Sequence, residues 1–238
     1  MNAYGDDAVA RIAAAIGEPA RARMLYCLMD GREHTSTELA LVAEISPSTA
    51  SAHLGRLTQA RLLKVASRAR SRYYSLEGAD VARALESLSV LAGPARGSIE
   101  PGGAIRLRAA RSCYDHLAGS LGVRLRERLE SLRWLGLAGS DSYELTRRGT
   151  EALAALGLDL EATRKCRRRF AFACLDWSER RPHVGGALGA ALLDLSLKKR
   201  WVTRDIECRA LDVTALGRRE MLARFGLRAE DPATNTRA

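Results

Sequence analysis

Apolar residues recur every three to four positions along most of the chain, a period that predicts helices. Val9, Ile12 and Ile16 mark a first helix over residues 8–16. Glu18-Pro19 interrupts it and opens a second over residues 19–30, with Pro19 in the first turn, Met24, Leu25 and Leu28 on one side and Gly31 at the end. Thr35-Ser36-Thr37-Glu38 has the spacing of a capping box and predicts a third helix bearing Leu39 and Val42. Ser46-Pro47 is a second start signal, a capping hydroxyl followed by proline at the first helical position. The fourth helix buries Ala50, Leu54 and Leu57 and turns Ser48, Thr49, Ala52, His53 and Arg56 outward. The pattern then changes. Leu62-Leu63-Lys64-Val65 and Arg72-Tyr73-Tyr74-Ser75-Leu76 are β-branched and aromatic and predict a hairpin closed over residues 66–71. Residues 77–92 return to helical spacing with Val81, Leu85 and Leu88, a stripe that suits a dimer contact or core packing.

Residues 93–103 hold four Gly and two Pro among eleven, which predicts a linker. Beyond it the chain echoes itself at an offset of 67. His116-Leu117-Ala118-Gly119-Ser120-Leu121-Gly122 matches His183-Val184-Gly185-Gly186-Ala187-Leu188-Gly189, and Leu125/Leu192 and Trp134/Trp201 keep the offset. After a one-residue slip, Leu145-Thr146-x-x-Gly149 matches Val213-Thr214-x-x-Gly217. Each copy reads as helix, Trp, short hairpin, then a helix opened by threonine. The expected fold class is therefore mainly α with small β-hairpins. A winged helix-turn-helix domain for DNA binding and dimerisation is expected over residues 1–92, and a helix-rich domain of two winged-helix-like repeats (about 113–157 and 174–226) over residues 104–228. Residues 229–238 are polar and read as a flexible tail.

Charge adds a partner. The 238 residues carry 38 Lys+Arg against 28 Asp+Glu, a net of +10 that favours a polyanion. Residues 45–76 hold six basic residues (Arg56, Arg61, Lys64, Arg68, Arg70 and Arg72) and no acidic one, the footprint of a phosphate-docking face. Two short helices joined by a tight turn, the second presenting small hydroxyls, is a helix-turn-helix whose second helix enters the major groove. Arg68, Arg70 and Arg72 alternate along the hairpin, which would put all three on one side of its tip. No run of 18 apolar residues suggests a membrane span. The acidic start lacks a signal core, and five cysteines (Cys27, Cys113, Cys166, Cys174 and Cys208) are too uneven for a disulfide framework; both point to the cytoplasm.

Residues 8–92 resemble the ArsR/SmtB (arsenic-repressor) family of winged-helix regulators, in its longer type with a C-terminal extension. The resemblance rests on Pro19-Ala20-Arg21-Ala22-Arg23-Met24-Leu25, Thr37-Glu38-Leu39-Ala40, Ser46-Pro47-Ser48-Thr49-Ala50-Ser51-Ala52-His53-Leu54-Gly55-Arg56-Leu57 and Arg70-Ser71-Arg72-Tyr73-Tyr74-Ser75-Leu76. It implies a homodimer that binds double-stranded DNA at an inverted repeat and represses. By it, Ser46, Ser48, Thr49, Ser51, His53 and Arg56 face DNA, with Arg70 and Arg72 on the wing; the charge pattern adds Arg68. His53 has an alternative role as a helix-surface residue bonded to its own backbone. The metal ligands of that family are missing: Glu38-Leu39-Ala40-Leu41-Val42-Ala43-Glu44 has no Cys or His, and residues 77–92 have no His. Cys27 reads as a small core residue.

The second domain has its own candidates. Cys113 and His116 are three apart, a spacing that would put both on one helical face. Cys174 and His183 occupy the matching region of the other copy. If the copies face each other, the four converge into a set suited to a thiophilic metal ion, to redox or electrophile sensing, or only to packing. A small-molecule effector pocket near Tyr114 and Trp177 competes with these, and no cofactor is certain. The run Arg164-Lys165-Cys166-Arg167-Arg168-Arg169 is a solvated helix face or a second DNA contact. The leading function is a repressor released by an effector; the alternative is a nucleoid-type, non-specific DNA or RNA binder. The chain has no Gly-rich phosphate loop, G-x-S-x-G or H-E-x-x-H, which argues against an enzyme.

Overall fold

The computed structural model describes residues 3–68, 71–93, 102–205 and 209–228. They form two compact units, residues 1–85 and 86–238. Among the described residues no helix is long and apolar enough to cross a membrane.

In the first unit, α1 (Ala3–Ile16) is followed by α2 (Pro19–Cys27), which continues as a 3-10 turn to Asp30. Glu18 caps α2, accepting from the N–H groups of Ala20 and Arg21. Gly31 ends the turn at φ 74°, a left-handed conformation that glycine adopts without steric cost. The capping box forms as expected: Thr35 Oγ1 accepts from Glu38 N, and the Glu38 carboxylate accepts from Thr35 N, starting α3 (Ser36–Ala43). Ser46 caps α4 (Pro47–Gln59), and Ala50, Leu54 and Leu57 are all fully buried. These join Met24, Leu25, Leu28, Leu39 and Leu63 in the core.

The wing is β2 (Leu63–Arg68) paired antiparallel with β3 (Ser71–Leu76), and β1 (His34–Thr35) adds to the outer side of β3. The final helix of the motif, α5 (Ala79–Ala92), begins in the first unit and ends in the second. Leu85 is buried, whereas Leu88 is 41% exposed and Leu91 82%. The units thus divide inside α5, after Leu85. The expected linker lies largely outside the described residues, and the helix α6 (Gly102–Ala109) already takes in its last two glycines. The expected tail, 229–238, also lies outside them.

The second unit runs α6, β4 (Arg111–Cys113), β5 (His116–Ala118), α7 (Gly119–Ser131), β6 (Leu135–Leu137), β7 (Tyr143–Leu145), α8 (Arg147–Ala155) and α9 (Leu160–Lys165). It continues with β8 (Phe172–Leu175), β9 (Pro182–Gly185), α10 (Gly186–Lys198), β10 (Val202–Arg204), β11 (Leu211–Val213) and α11 (Ala215–Phe225). Hairpin, thirteen-residue helix, hairpin and threonine-capped helix therefore occur twice, and α7 and α10 start 67 residues apart. Thr146 and Thr214 accept from the N–H groups of Gly149 and Gly217. A side chain at either glycine would run into the backbone carbonyl of Trp134 or Trp201, so both positions require glycine. One core, including Leu121, Leu125, Leu129, Leu188, Leu192, Trp201 and Phe225, runs through the second unit.

One expectation of the second unit is overturned. Cys113 and His116 do not share a helix face; they sit opposite each other across the β4–β5 hairpin. The two-residue turn Tyr114-Asp115, with Tyr114 at φ 60°, separates them, so their spacing of three is that of a hairpin tip.

Candidate DNA interface and a buried cysteine–histidine cluster

At the start of α4 the Ser46 hydroxyl accepts from Thr49 N at 3.2 Å and lies 2.9 Å and 2.8 Å from the hydroxyls of Ser48 and Thr49. The three form one hydroxyl group at the positive end of the helix, a place that favours phosphate. Ser48, Thr49, Ser51, Ala52, Gly55 and Arg56 are exposed on the faces left by the buried stripe. Ala52 and Gly55 keep that surface low enough for a groove wall to approach. Arg56 also lines a cleft of about 490 Å³ between α1 and α4, shared with Arg11, Arg21 and Arg61 and with no carboxylate among its lining residues.

Two expected DNA contacts are placed differently. His53 does not face outward, nor does it bond its own backbone. Its Nδ1 is 3.2 Å from Arg21 and its Nε2 3.6 Å from Glu18, so it ties α4 to the start of α2. Arg21 in turn donates to the carbonyls of Ala14 and Ala15 at the end of α1. The wing arginines do not share a side. Ser71 pairs with Arg68 and Arg72 with Ser67, so Arg68 and Arg72 point to opposite faces of the ribbon. Even spacing along one strand does not carry over to its partner here, because the register joins even positions to odd ones. Arg68 is held by Glu33 at 2.8 Å and stands 5.5 Å over the Tyr73 ring, while Arg72 is exposed. Arg70 lies outside the described residues.

In the second unit Cys113, His116, Cys174 and His183 come together. All four are buried, and their ligating atoms lie within 4.8 Å of one another. The two hairpins supply them as cross-strand pairs: Cys113 opposite His116, and Cys174 opposite His183. Directly opposed residues share a face of a strand pair, so each hairpin offers one sulfur and one imidazole to the same point. His183 Nε2 faces His116 Nδ1 at 3.2 Å. Each helix leaves room for the other hairpin. A Cβ on Gly122 of α7 would meet the Leu117 carbonyl at 2.4 Å and His183 Cβ at 3.5 Å. A Cβ on Gly189 of α10 would meet the Val184 carbonyl at 2.2 Å and His116 Cβ at 2.9 Å.

Behind the cluster lies a buried charge network. Asp176 Oδ2 is 3.3 Å from His183 Nδ1, 3.0 Å from the Arg111 guanidinium and accepts from Gly119 N at 2.7 Å. Asp176 Oδ1 accepts from Ser178 N, Ser178 Oγ and Glu179 N. Arg111 is wholly buried, reaches Glu86 at 3.2 Å and stacks 4.7 Å over the half-buried Trp177 ring. Arg209 reaches the other Glu86 oxygen at 3.4 Å.

These neighbours set the protonation states. Burial penalises charge on His183, but hydrogen bonds to Asp176 and Cys174 outweigh it and raise its pKa to about 9. Burial and the adjacent His183 hold His116 neutral. Cys174 is made more acidic by the hydrogen bond from Cys113 and by His183, and Cys113 is correspondingly pushed up. Burial opposes ionisation of Asp176, yet His183 and Arg111 keep it well below the carboxylate range. Asp176, Arg111 and Glu86 were not visible as site residues in the sequence. The Cys-x-Asp echo at Cys113-Tyr114-Asp115 and Cys174-Leu175-Asp176 was a signal, but its copies diverge: Asp115 pairs with Arg168, whereas Asp176 is fully buried.

A family model described as a helix-turn-helix domain matches residues 16–66. A relative from Bacillus subtilis (strain 168), the uncharacterised HTH-type transcriptional regulator YdfF, is 40% identical over 212 residues, covering 88% of this chain and 93% of the relative. The chain belongs to the HTH-type transcriptional regulators. Shared length of that extent takes in both units, so the second is part of what this regulator has in common with YdfF. Solved structures similar to part of this regulator include the homodimeric winged helix-turn-helix domain of Mb0332 from Mycobacterium bovis, a possible ArsR-family regulator. It is 28% identical, covers 42% of this chain and 93% of its own, and has a TM-score of 0.37. NolR from Sinorhizobium fredii is also 28% identical, covering 39% of this chain and 91% of its own with a TM-score of 0.36.

Proposed function

We propose that this regulator is a cytoplasmic, homodimeric, sequence-specific repressor. It binds an inverted-repeat operator through α4 and the wing, and leaves it when an effector reaches the cluster of the second unit. The observation that carries the DNA reading is the outward face of α4, with three linked hydroxyls at its positive end, low Ala52 and Gly55, and Arg56 beside a cleft lined by arginines. Ser46, Ser48, Thr49, Ser51, Arg56 and Arg72 are the assigned contacts. Val9 (69% exposed) and Ile12 (43%) on α1, and Leu88 and Leu91 on α5, supply apolar surface for a second copy. No enzymatic step is assigned.

The alternative, a non-specific nucleic-acid binder driven by net charge, has less support from the basic run than its composition suggests. Arg164, Lys165, Arg168 and Arg169 are paired with Glu144, Glu161, Asp115 and Asp141. Binding to the DNA upstream of its own gene, against a scrambled duplex of equal length at two salt concentrations, separates the two. A preference of about a thousandfold or more at physiological salt is expected of a specific regulator. Equal and steeply salt-dependent affinity for both duplexes would overturn the reading.

A further inference from the structure

We propose that Cys113, His116, Cys174 and His183 bind one thiophilic divalent cation of the zinc class, and that this cation is the effector of the regulator. The regulatory half rests on the sensory role given to the second unit above; the cation site itself does not.

The donor set comes first. Two sulfurs and two imidazoles are the ligands of a closed tetrahedral zinc site. With metal–nitrogen bonds of about 2.05 Å and metal–sulfur bonds of about 2.3 Å, tetrahedral geometry puts two nitrogens ~3.3 Å apart and two sulfurs ~3.8 Å apart. The facing imidazole nitrogens are already 3.2 Å apart, and all four donor atoms lie within 4.8 Å, so a modest contraction completes the shell. The backbone arrangement is built for such closure. Each hairpin is pinned by its own cross-strand register, and Gly122 and Gly189 bring each helix against the histidine of the opposite hairpin.

The outer shell fits as well. A metal-bound histidine ordinarily gives its other nitrogen to a carboxylate, which orients the ring. His183 has Asp176 at Nδ1, leaving Nε2 directed at the cluster, and Asp176 is itself fixed by Arg111 and three backbone N–H groups. Charge balances too. Two thiolates neutralise a divalent cation, and Asp176 is offset by Arg111, so the loaded centre adds no net charge to the interior. Loading requires both sulfurs as thiolates and both ligating nitrogens free of protons, so uptake of the ion releases protons and leaves two thiolates and two neutral rings on the metal. With Cys113 3% and Cys174 8% exposed, the cluster suits an ion better than a bulky molecule.

The test uses the full chain, reduced and stripped with a chelator. Cobalt(II) and zinc are titrated against a chromophoric competitor, and the cobalt spectrum reports thiolate coordination and tetrahedral geometry. One tightly held ion per chain, with thiolate-to-metal charge-transfer absorption, is expected. Cys174→Ser and His183→Asn should each weaken uptake at least tenfold, while Cys166→Ser, at an exposed thiol, should not change it. Circular dichroism melts of each variant separate loss of ligand from loss of fold, and Cys113→Ser provides a second conservative ligand change. No uptake by a folded wild-type chain, or equal uptake by the Cys113→Ser/Cys174→Ser double variant, would overturn the site. So would closure of a Cys113–Cys174 disulfide by mild oxidant in place of metal binding. Operator binding is then measured with and without zinc. A change of tenfold or more upholds the regulatory half; uptake with unchanged DNA affinity leaves the cation site standing and overturns its role as effector.

Discussion

The two units put polar chemistry in opposite places. In the first, hydroxyls and arginines lie on the surface of α4 and the wing, over an interior of Met24, Leu25, Leu54 and Leu57 that contributes no chemistry. In the second, the reactive groups are the interior: Arg111, Asp176 and His183 have no exposed side-chain surface. A DNA-reading face must be wet and reachable, because its partner is larger than the domain. An ion-holding site gains from burial, since a low-dielectric setting strengthens each interaction and penalises any missing partner.

That contrast can be broken most forcefully at Arg111. Arg111→Met removes the cation shared by Asp176 and Glu86, leaving Asp176 with His183 and Glu86 with Arg209. Breaking a buried pair in this way costs about 3–5 kcal/mol, so the second unit should lose most of its stability in a urea melt. Arg56→Ala, on the outer face of α4, should leave the melt within about 0.5 kcal/mol of wild type. Its effect belongs to DNA: weaker binding to all duplexes, with the salt slope reduced by about 1. If Arg111→Met melts like wild type, the buried network is not what holds the second unit together.

Next come the glycines. Gly189→Ala forces a Cβ against the Val184 carbonyl and should destabilise by about 1–3 kcal/mol, with a matching loss of cobalt uptake. Gly55→Ala meets nothing within 4 Å and should stabilise by up to about 1 kcal/mol through helix propensity. A melt of both variants reads the difference, which would vanish if the second unit relaxed as freely as a surface helix. Ser46→Ala removes the α4 cap and should cost about 1 kcal/mol in the same assay.

The smallest effect is acid sensitivity. Burial opposes ionisation of Glu86, but Arg209 and Arg111 more than compensate and lower its pKa from 4.5. Its contribution to stability is therefore complete above pH 4.5 and is lost as pH falls through the lower folded value. Glu86→Gln should flatten that part of the acid melt; an unchanged curve would mean that the pair carries no linkage.

Much of the first unit was legible because its signals are local. Thr35 with Glu38, Ser46 with Pro47, and the Ala50/Leu54/Leu57 stripe each act within one or two turns of helix. His53 misled for the same reason: helical spacing gave its direction only roughly, while Glu18 and Arg21 of another helix claimed its ring. The wing arginines misled because strand parity was carried onto a partner strand whose register joins even positions to odd ones. In the second unit the 67-residue echo related His116 to His183, and a separate Cys-x-Asp echo at an offset of 61 related Cys113 to Cys174; Cys113 and His116 were put on a helix because a spacing of three also fits a helical turn.

The sequence by itself determined the helix-turn-helix, its caps, its outward hydroxyls and the pairing of Cys113-His116 with Cys174-His183, all of which are written in short-range patterns or direct repetition. Only the tertiary structure decided that the two pairs meet, that Asp176 stands behind His183 while its echo Asp115 binds Arg168, and that Glu86 joins the second unit through Arg111 and Arg209. Glu86 finds its two partners 25 and 123 residues away in the chain. Side chains so far apart choose each other through burial and complementary charge in the folded core, and neither leaves a periodic trace in the sequence.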